Sequence, residues 1–319
     1  MTPTDPLFPR SLRPNARLRP GILSATCCAL TALAIACGGD GGTAPNAADG
    51  SVAPAAEARA SSREEPGGIE AQALRGAKLY DEGQSAEAER VYRELLKQHP
   101  EHVGALVGLA QILIDRDDLD GAGAAIERAL KTNPQSIPAL QEKIAVLLAR
   151  DRAAEAVSLA ETALRLDAKS PSLQAALGDA QRAFGDVPKA IAAYRKAVGL
   201  NPQWAPGWTR LGEALAENGD ATEAQAALKR ALELNPKSYP AYRALARLHF
   251  DNGQPDQAVG DWESALRLQP DRGEAHEGLA EALLAARRPA EARRHAEEAQ
   301  RRGRDVRALL QQIARAQTP

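Results

Sequence analysis

The chain has 319 residues, of which 26% are charged and 44% apolar but only 3% aromatic. That apolar content excludes disorder throughout, and abundant alanine beside scarce aromatic and β-branched residues excludes a β-rich fold and predicts closely packed helices. With 40 basic and 42 acidic side chains the net charge is −2, which excludes the strong positive field of a nucleic-acid-binding protein.

Residues 1–36 read as an export signal. Arg10, Arg13, Arg17 and Arg19 stand against a single Asp5, and residues 21–36 (GILSATCCALTALAIA) carry no charge, so a positive n-region precedes an apolar h-region. The run is shorter than the roughly 20 residues a membrane-spanning helix needs, and it gives way to Gly, Asp and Pro. Cleavage is therefore expected rather than a signal anchor. Leu33, Ala34, Ile35, Ala36 and Cys37 resemble the bacterial lipobox, with one departure: Leu33 lies four places before Cys37, and Ala34 holds the third. The resemblance implies a lipid on Cys37 as the first residue of the processed chain. Gly38, where an acidic residue would favour inner-membrane retention, implies a periplasm-facing protein of the outer membrane. Cys27 and Cys28 fall in the removed segment, so no disulfide is expected. Met1 is the only methionine and the n-region is long, which puts the true start in question.

Residues 37–68 follow as the lipidated cysteine and a linker of Gly, Ala, Pro and Ser without a hydrophobic period of 2 or 3.6. A coil of this length has an r.m.s. span of about 30 Å, enough to hold a folded domain off a bilayer.

From residue 69 to 306 one pattern recurs seven times at a period of 34 residues, with no insertion or deletion. Numbering each repeat 1 to 34, position 20 is Ala88, Ala122, Ala156, Ala190, Ala224, Ala258 and Ala292. Position 8 is small except at Ile144, and position 27 is small except at Leu95, which lets two successive helices approach closely. Position 15 carries turn formers in most repeats, among them Gly83, Asp117, Asp151, Gly185, Gly219 and Gly253, with Arg287 in the last. Position 32 is Pro100, Pro134, Pro202, Pro236 and Pro270 in five repeats, where a proline ends one helix and can start the next.

Each repeat is thus a helical hairpin, and the pattern resembles the tetratricopeptide repeat. The fifth repeat carries the resemblance best, through Trp208, Leu211, Gly212, Leu215, Gly219, Ala224, Leu228, Ala231 and Pro236. The resemblance implies an all-α fold: a right-handed solenoid of seven helix-turn-helix repeats. The third repeat departs most, with Lys143, Ile144, Ala160 and Ala168 at positions 7, 8, 24 and 32, which marks it as a soft joint. Residues 307–319 are expected to form a C-terminal capping helix, since Val306, Leu309, Leu310 and Ile313 make one apolar stripe.

Catalytic chemistry finds little purchase. His99 and His102 flank Pro100 with no obvious third ligand, so a solvated turn is expected there and no metal or other cofactor. His249 and His276 fall on faces that normally pack. No nucleophile–base set, phosphate-cradling loop or inward carboxylate pair has a meaningful spacing, and the chain is expected not to be an enzyme. Trp208 and Trp262 occupy structural aromatic positions. The arginine-rich end from Arg287 to Arg307, interleaved with Glu291, Glu297 and Glu298, reads as a solvated capping face or as a patch for an acidic partner.

In the resembled family positions 2, 5, 9, 12 and 13 of the first helix line a concave groove, and their spacings place them on one helical face. The candidate partner-binding residues are then Tyr80, Val107, Gln111, Ile114, Gln141, Leu148, Arg182, Thr209, Glu213, Arg243, Arg247, Phe250, Glu277 and Glu281. The family's Lys and Asn clamp for a C-terminal carboxylate is absent. Arg243 and Arg247 beside Phe250 suit an acidic or aromatic peptide, or are two solvated arginines balanced by neighbouring glutamates. The expected function is a membrane-anchored, non-catalytic adaptor for peptide or protein partners. A pilotin-like assembly factor for an outer-membrane secretin is the alternative, with a carbohydrate-processing enzyme third.

Overall fold

The computed structural model describes residues 66–317, all-α and without a strand. The segment 1–36 expected to be an export signal, Cys37, and the expected linker up to residue 65 lie outside the described residues, as do residues 318 and 319. The described chain divides between Glu142 and Lys143 into two compact units. The first holds the hairpins α1 (Pro66–Asp81) with α2 (Ser85–Gln98) and α3 (Val103–Asp115) with α4 (Leu119–Thr132). The division falls inside α5 (Ile137–Ala149), in the repeat whose Lys143 replaces a core leucine.

The second unit continues with α6 (Ala153–Leu166), α7 (Pro171–Phe184), α8 (Val187–Leu200), α9 (Ala205–Asn218) and α10 (Ala221–Leu234). It ends with α11 (Tyr239–Asp251), α12 (Pro255–Leu268), α13 (Gly273–Ala285), α14 (Pro289–Arg301) and α15 (Arg307–Gln317). Every second helix of a repeat begins 34 residues after the one before, so the sequence period is the structural period.

Two turn devices make the hairpins. Position 15 has positive φ in all seven repeats, from 56° at Asp151 to 93° at Gly185, and this left-handed residue lets the chain reverse after the first helix. At position 31 of the second to fifth repeats an Asx turn ends the second helix. The Oδ1 atoms of Asn133, Asp167, Asn201 and Asn235 accept the backbone N–H two residues on, at 3.0–3.2 Å. The prolines of position 32 sit inside that turn and start no helix. Those in the first helical turn are others, including Pro171, Pro206 and Pro240.

Within a hairpin, position 8 faces position 24, and their volumes are matched. Tyr92 covers Gly76, Tyr194 covers Gly178, and Leu228 covers Gly212, each so closely that a Cβ on the glycine would lie 2.6 Å from the covering side chain. In the third repeat the sizes are exchanged, and Ile144 fills the space over Ala160 in one buried cluster. At the C-terminal end α15 packs on α14, with Val306 and Ile313 fully sequestered. The capping helix expected from the stripe is therefore present.

Candidate ligand groove

In the second unit the first helices α7, α9, α11 and α13 pack side by side. Their shared face brings charged residues from four repeats into one chain of ion pairs. Arg182 reaches Glu213 at 3.3 Å and Glu217 at 3.9 Å; Glu213 reaches Arg243 at 2.9 Å, and Arg243 reaches Glu274 at 3.6 Å. Glu213 is the hub, its side chain only 14% exposed. Burial opposes the charge on Arg182, yet Tyr194 and the carboxylates of Glu213, Asp179 and Glu217 hold its pKa above the ordinary arginine value. Arg243 keeps a buried Nε without a hydrogen-bond partner.

The pairing separates two residues that the sequence grouped together. Arg243 is bound by two glutamates of neighbouring repeats and works as a staple between helices. Arg247 is exposed and has no direct ion pair among the described residues, although Asp251 and Glu281 both feel its charge. Burial pushes the Asp251 carboxyl up while Arg247 pulls it down. Desolvation and the neighbouring Glu277 push the Glu281 carboxyl up, and Arg304, which holds Glu277 at 2.6 Å, partly offsets this. Phe250 lies half-buried against the core on the same helix as Arg247.

Other candidates are placed differently. Thr209 is buried and its hydroxyl donates to the Ala205 carbonyl at 3.2 Å, so it serves its own helix and is closed to a partner. Ile114 is 2% exposed and belongs to the core of the first unit. Tyr80 donates its hydroxyl to Asp115 Oδ2 at 2.5 Å, joining α1 to α3. Val107, Gln111, Gln141 and Leu148 are half-buried. Glu142, beside Gln141, has a carboxyl pushed up to about 7 by burial and by Asp115. Glu217, Glu274 and Asp251 were missed by the sequence reading, although they stand at positions 13 and 2 of the repeat, within the frame already in use; Arg304 was read as part of the arginine-rich end and not of the groove.

The histidines belong to polar networks. His249, 6% exposed, has Nδ1 2.5 Å from Asp261 Oδ2 and Nε2 2.7 Å from Gln225, so a neutral ring protonated on Nδ1 satisfies both neighbours. Burial raises the Asp261 pKa, with His249 acting against it. His276 donates Nε2–H to the Pro270 carbonyl at 3.1 Å, and its Nδ1 meets that of His295 at 3.0 Å. The ring centroids are 5.3 Å apart, farther than the nitrogens by about two ring radii, so the rings meet edge to edge in an N–H···N bond. Burial and then His276 lower the His295 pKa. His102 Nδ1 accepts the Ala105 N–H at 3.0 Å and caps α3. No group of three or more potential ligands could hold a metal ion among the described residues, and none of their helices is long and apolar enough to cross a membrane.

Two family models described as tetratricopeptide repeat match the chain, one over residues 79–146 and 215–260 and the other over 145–203 and 243–306. Among solved structures the chain is similar to one from the APC/C hetero-tetramer Cut9–Hcn1, with a TM-score of 0.67 and 18% identity. That match covers 77% of this chain and 48% of the other, so the present chain spans about half the length of that relative. A tetratricopeptide repeat protein from Parabacteroides merdae matches with a TM-score of 0.55 and 15% identity, over 78% of this chain and 98% of that one. Both likenesses concern the fold. No curated protein matches the chain.

Proposed function

The chain belongs to the tetratricopeptide repeat family, a family of protein-interaction scaffolds, and from that premise we propose that it is a non-catalytic adaptor. It holds peptide or protein partners on the face of its first helices, anchored by lipid on Cys37 to the periplasmic side of the outer membrane. The observation that supports a partner-binding face is the set of incompletely satisfied charges at Arg247, Asp251 and Glu281 beside Phe250. The rest of the ladder is closed by intramolecular pairs, whereas these groups keep capacity for a partner's backbone and side chains.

In-cell crosslinking and affinity capture from envelopes tests this with the intact protein, Cys37→Ser and Arg247→Glu. One or two dominant partners lost in Arg247→Glu support the adaptor and name its pathway. Partners that survive that change but disappear with Cys37→Ser put selection in location and remove the groove assignment. Arg243 is unsuited to the test because its loss also breaks the staple. The pilotin-like reading makes a different demand: secretin multimers disappear in a deletion strain.

A further inference from the structure

A second recess lies away from the charged face, between the second helices of the fourth and fifth repeats. Helices α8 and α10 flank it and α9 forms its floor, leaving an open slot of about 470 Å³. The floor is apolar, built by Trp208, Leu211 and Leu215 of α9, with Val198 on the α8 wall and Ala227 on the α10 wall. The sequence explains one wall. Position 28 is leucine in five of the first six repeats (Leu96, Leu130, Leu164, Leu232 and Leu266), and the shorter Val198 stands in the fourth. The wall is set back by a methylene where its neighbour across the slot is an alanine.

The mouth carries charge. Arg195 on α8 reaches Glu223 on α10 at 2.5 Å, but both side chains are more than half exposed, so that pair is weak and exchangeable. Arg230 stands on the same rim, held only by an exposed pair with Glu233 one turn along its own helix at 2.9 Å. Two guanidinium groups and the Glu223 carboxylate thus border an apolar floor, with the Glu233 carboxylate just outside the mouth.

We propose that this slot is a docking site for an acidic amphipathic helix of a partner protein, which inserts a leucine or aromatic side chain between α8 and α10. The slot is open along one side, so a projecting anchor fits it better than an enclosed small molecule. A helix is favoured over an extended segment because the floor offers no backbone ladder; the Trp208 indole N–H is already donated to the Pro202 carbonyl at 2.9 Å. Acidic flanks follow from charge complementarity to the two guanidinium groups that line the mouth: they pair with Arg195 in competition with Glu223 and with Arg230 in competition with Glu233, both of which are exposed and exchangeable. The site is independent of the groove, and either can fail alone.

The test uses the full chain labelled with 5-fluorotryptophan, whose three tryptophans give separable ¹⁹F signals, Trp208 being assigned by Trp208→Phe. The probe is a synthetic helical peptide with Leu and Phe anchors one turn apart and glutamate flanks. A saturable shift of the Trp208 signal is expected, and Val198→Leu, which installs the residue other repeats carry, should weaken it about tenfold while the fold persists. Arg195→Glu with Arg230→Glu should move the preference to a lysine-flanked peptide. An unchanged affinity in Val198→Leu, or an equal shift by a peptide with alanine anchors, overturns the slot as the site. Equal binding of the lysine-flanked peptide by the unaltered protein overturns the acidic partner.

Discussion

Tyr194 lies over Gly178 with no room for one more carbon: a Cβ there would come within 2.6 Å of the ring, which is fully buried and donates its hydroxyl to Asp179 at 2.6 Å. Gly178→Ala should therefore cost about 1–3 kcal/mol through overpacking. The second repeat solves the same contact with Ala110 and Ile126, so Gly178→Ala combined with Tyr194→Ile copies a pair already present. The double variant should lose clearly less than the two single losses added together. A urea-denaturation cycle measures it, and additive losses would show that positions 8 and 24 do not share one space.

How much the sequence could tell depended on whether an interaction repeats. Small residues at position 8 and turn formers at 15 recur every 34 residues, so fold and hairpin boundaries were legible. The exchange of Ile144 for Ala160 was visible as a departure, but its meaning as volume compensation needed the knowledge that those two positions touch. The groove's face was legible from the helical period, whereas its pairing was not. Arg182 and Arg243 meet Glu213 across 31 and 30 residues, from different repeats, and nothing local says which charges reach one another. Ile144 and Glu213 show the same gap: a face can be read from a period, a contact cannot.

Asp117, Asp151 and Arg287 occupy the left-handed turn position without being glycine, at φ of 63°, 56° and 59°. Aspartate tolerates that conformation better than arginine does, because its short polar chain bonds locally. Arg287→Gly should raise stability by about 0.5–1 kcal/mol, with a smaller gain for Asp117→Gly, while Gly185→Ala should cost about 1 kcal/mol. Denaturant midpoints rank the three. A destabilised Arg287→Gly would mean that the arginine side chain contributes more than the backbone strain costs.

Removing the hub and removing the free arginine should have different effects. Glu213→Ala strips the shared partner from Arg182 and Arg243, both largely covered, and should cost about 1–3 kcal/mol. Arg247→Gln acts on an exposed side chain with no direct ion pair among the described residues, and thermal melts should stay within about 0.5 kcal/mol of the parent. Equal losses in both variants would erase the distinction between staple and binding residue.

Hydrogen exchange should be fastest around the third repeat. The two compact units divide there, and Lys143 takes the place of a core leucine within a continuous helix. Amides of α5 and α6 should exchange before those of α9 and α11. Uniform protection along the array would dismiss the soft joint.

Glu142 gives the first unit a predictable response to pH. Its carboxyl is pushed from the ordinary 4.5 up to about 7 in the folded protein, by burial first and by the charge of Asp115 second. Between those two values the folded state holds a proton that the unfolded state has released, so stability must fall as pH rises. The contribution is present in full below about 4.5 and is lost as pH climbs through about 7, the reverse of a salt-bridged carboxylate. Glu142→Gln keeps the neutral, hydrogen-bonding form at every pH. Its urea midpoint should match the parent's near pH 4 and exceed it at pH 8, the gap opening from about pH 4.5 to 7. A constant gap across that range would mean that Glu142 folds as an ordinary ionised carboxylate and that Asp115 does not press on it.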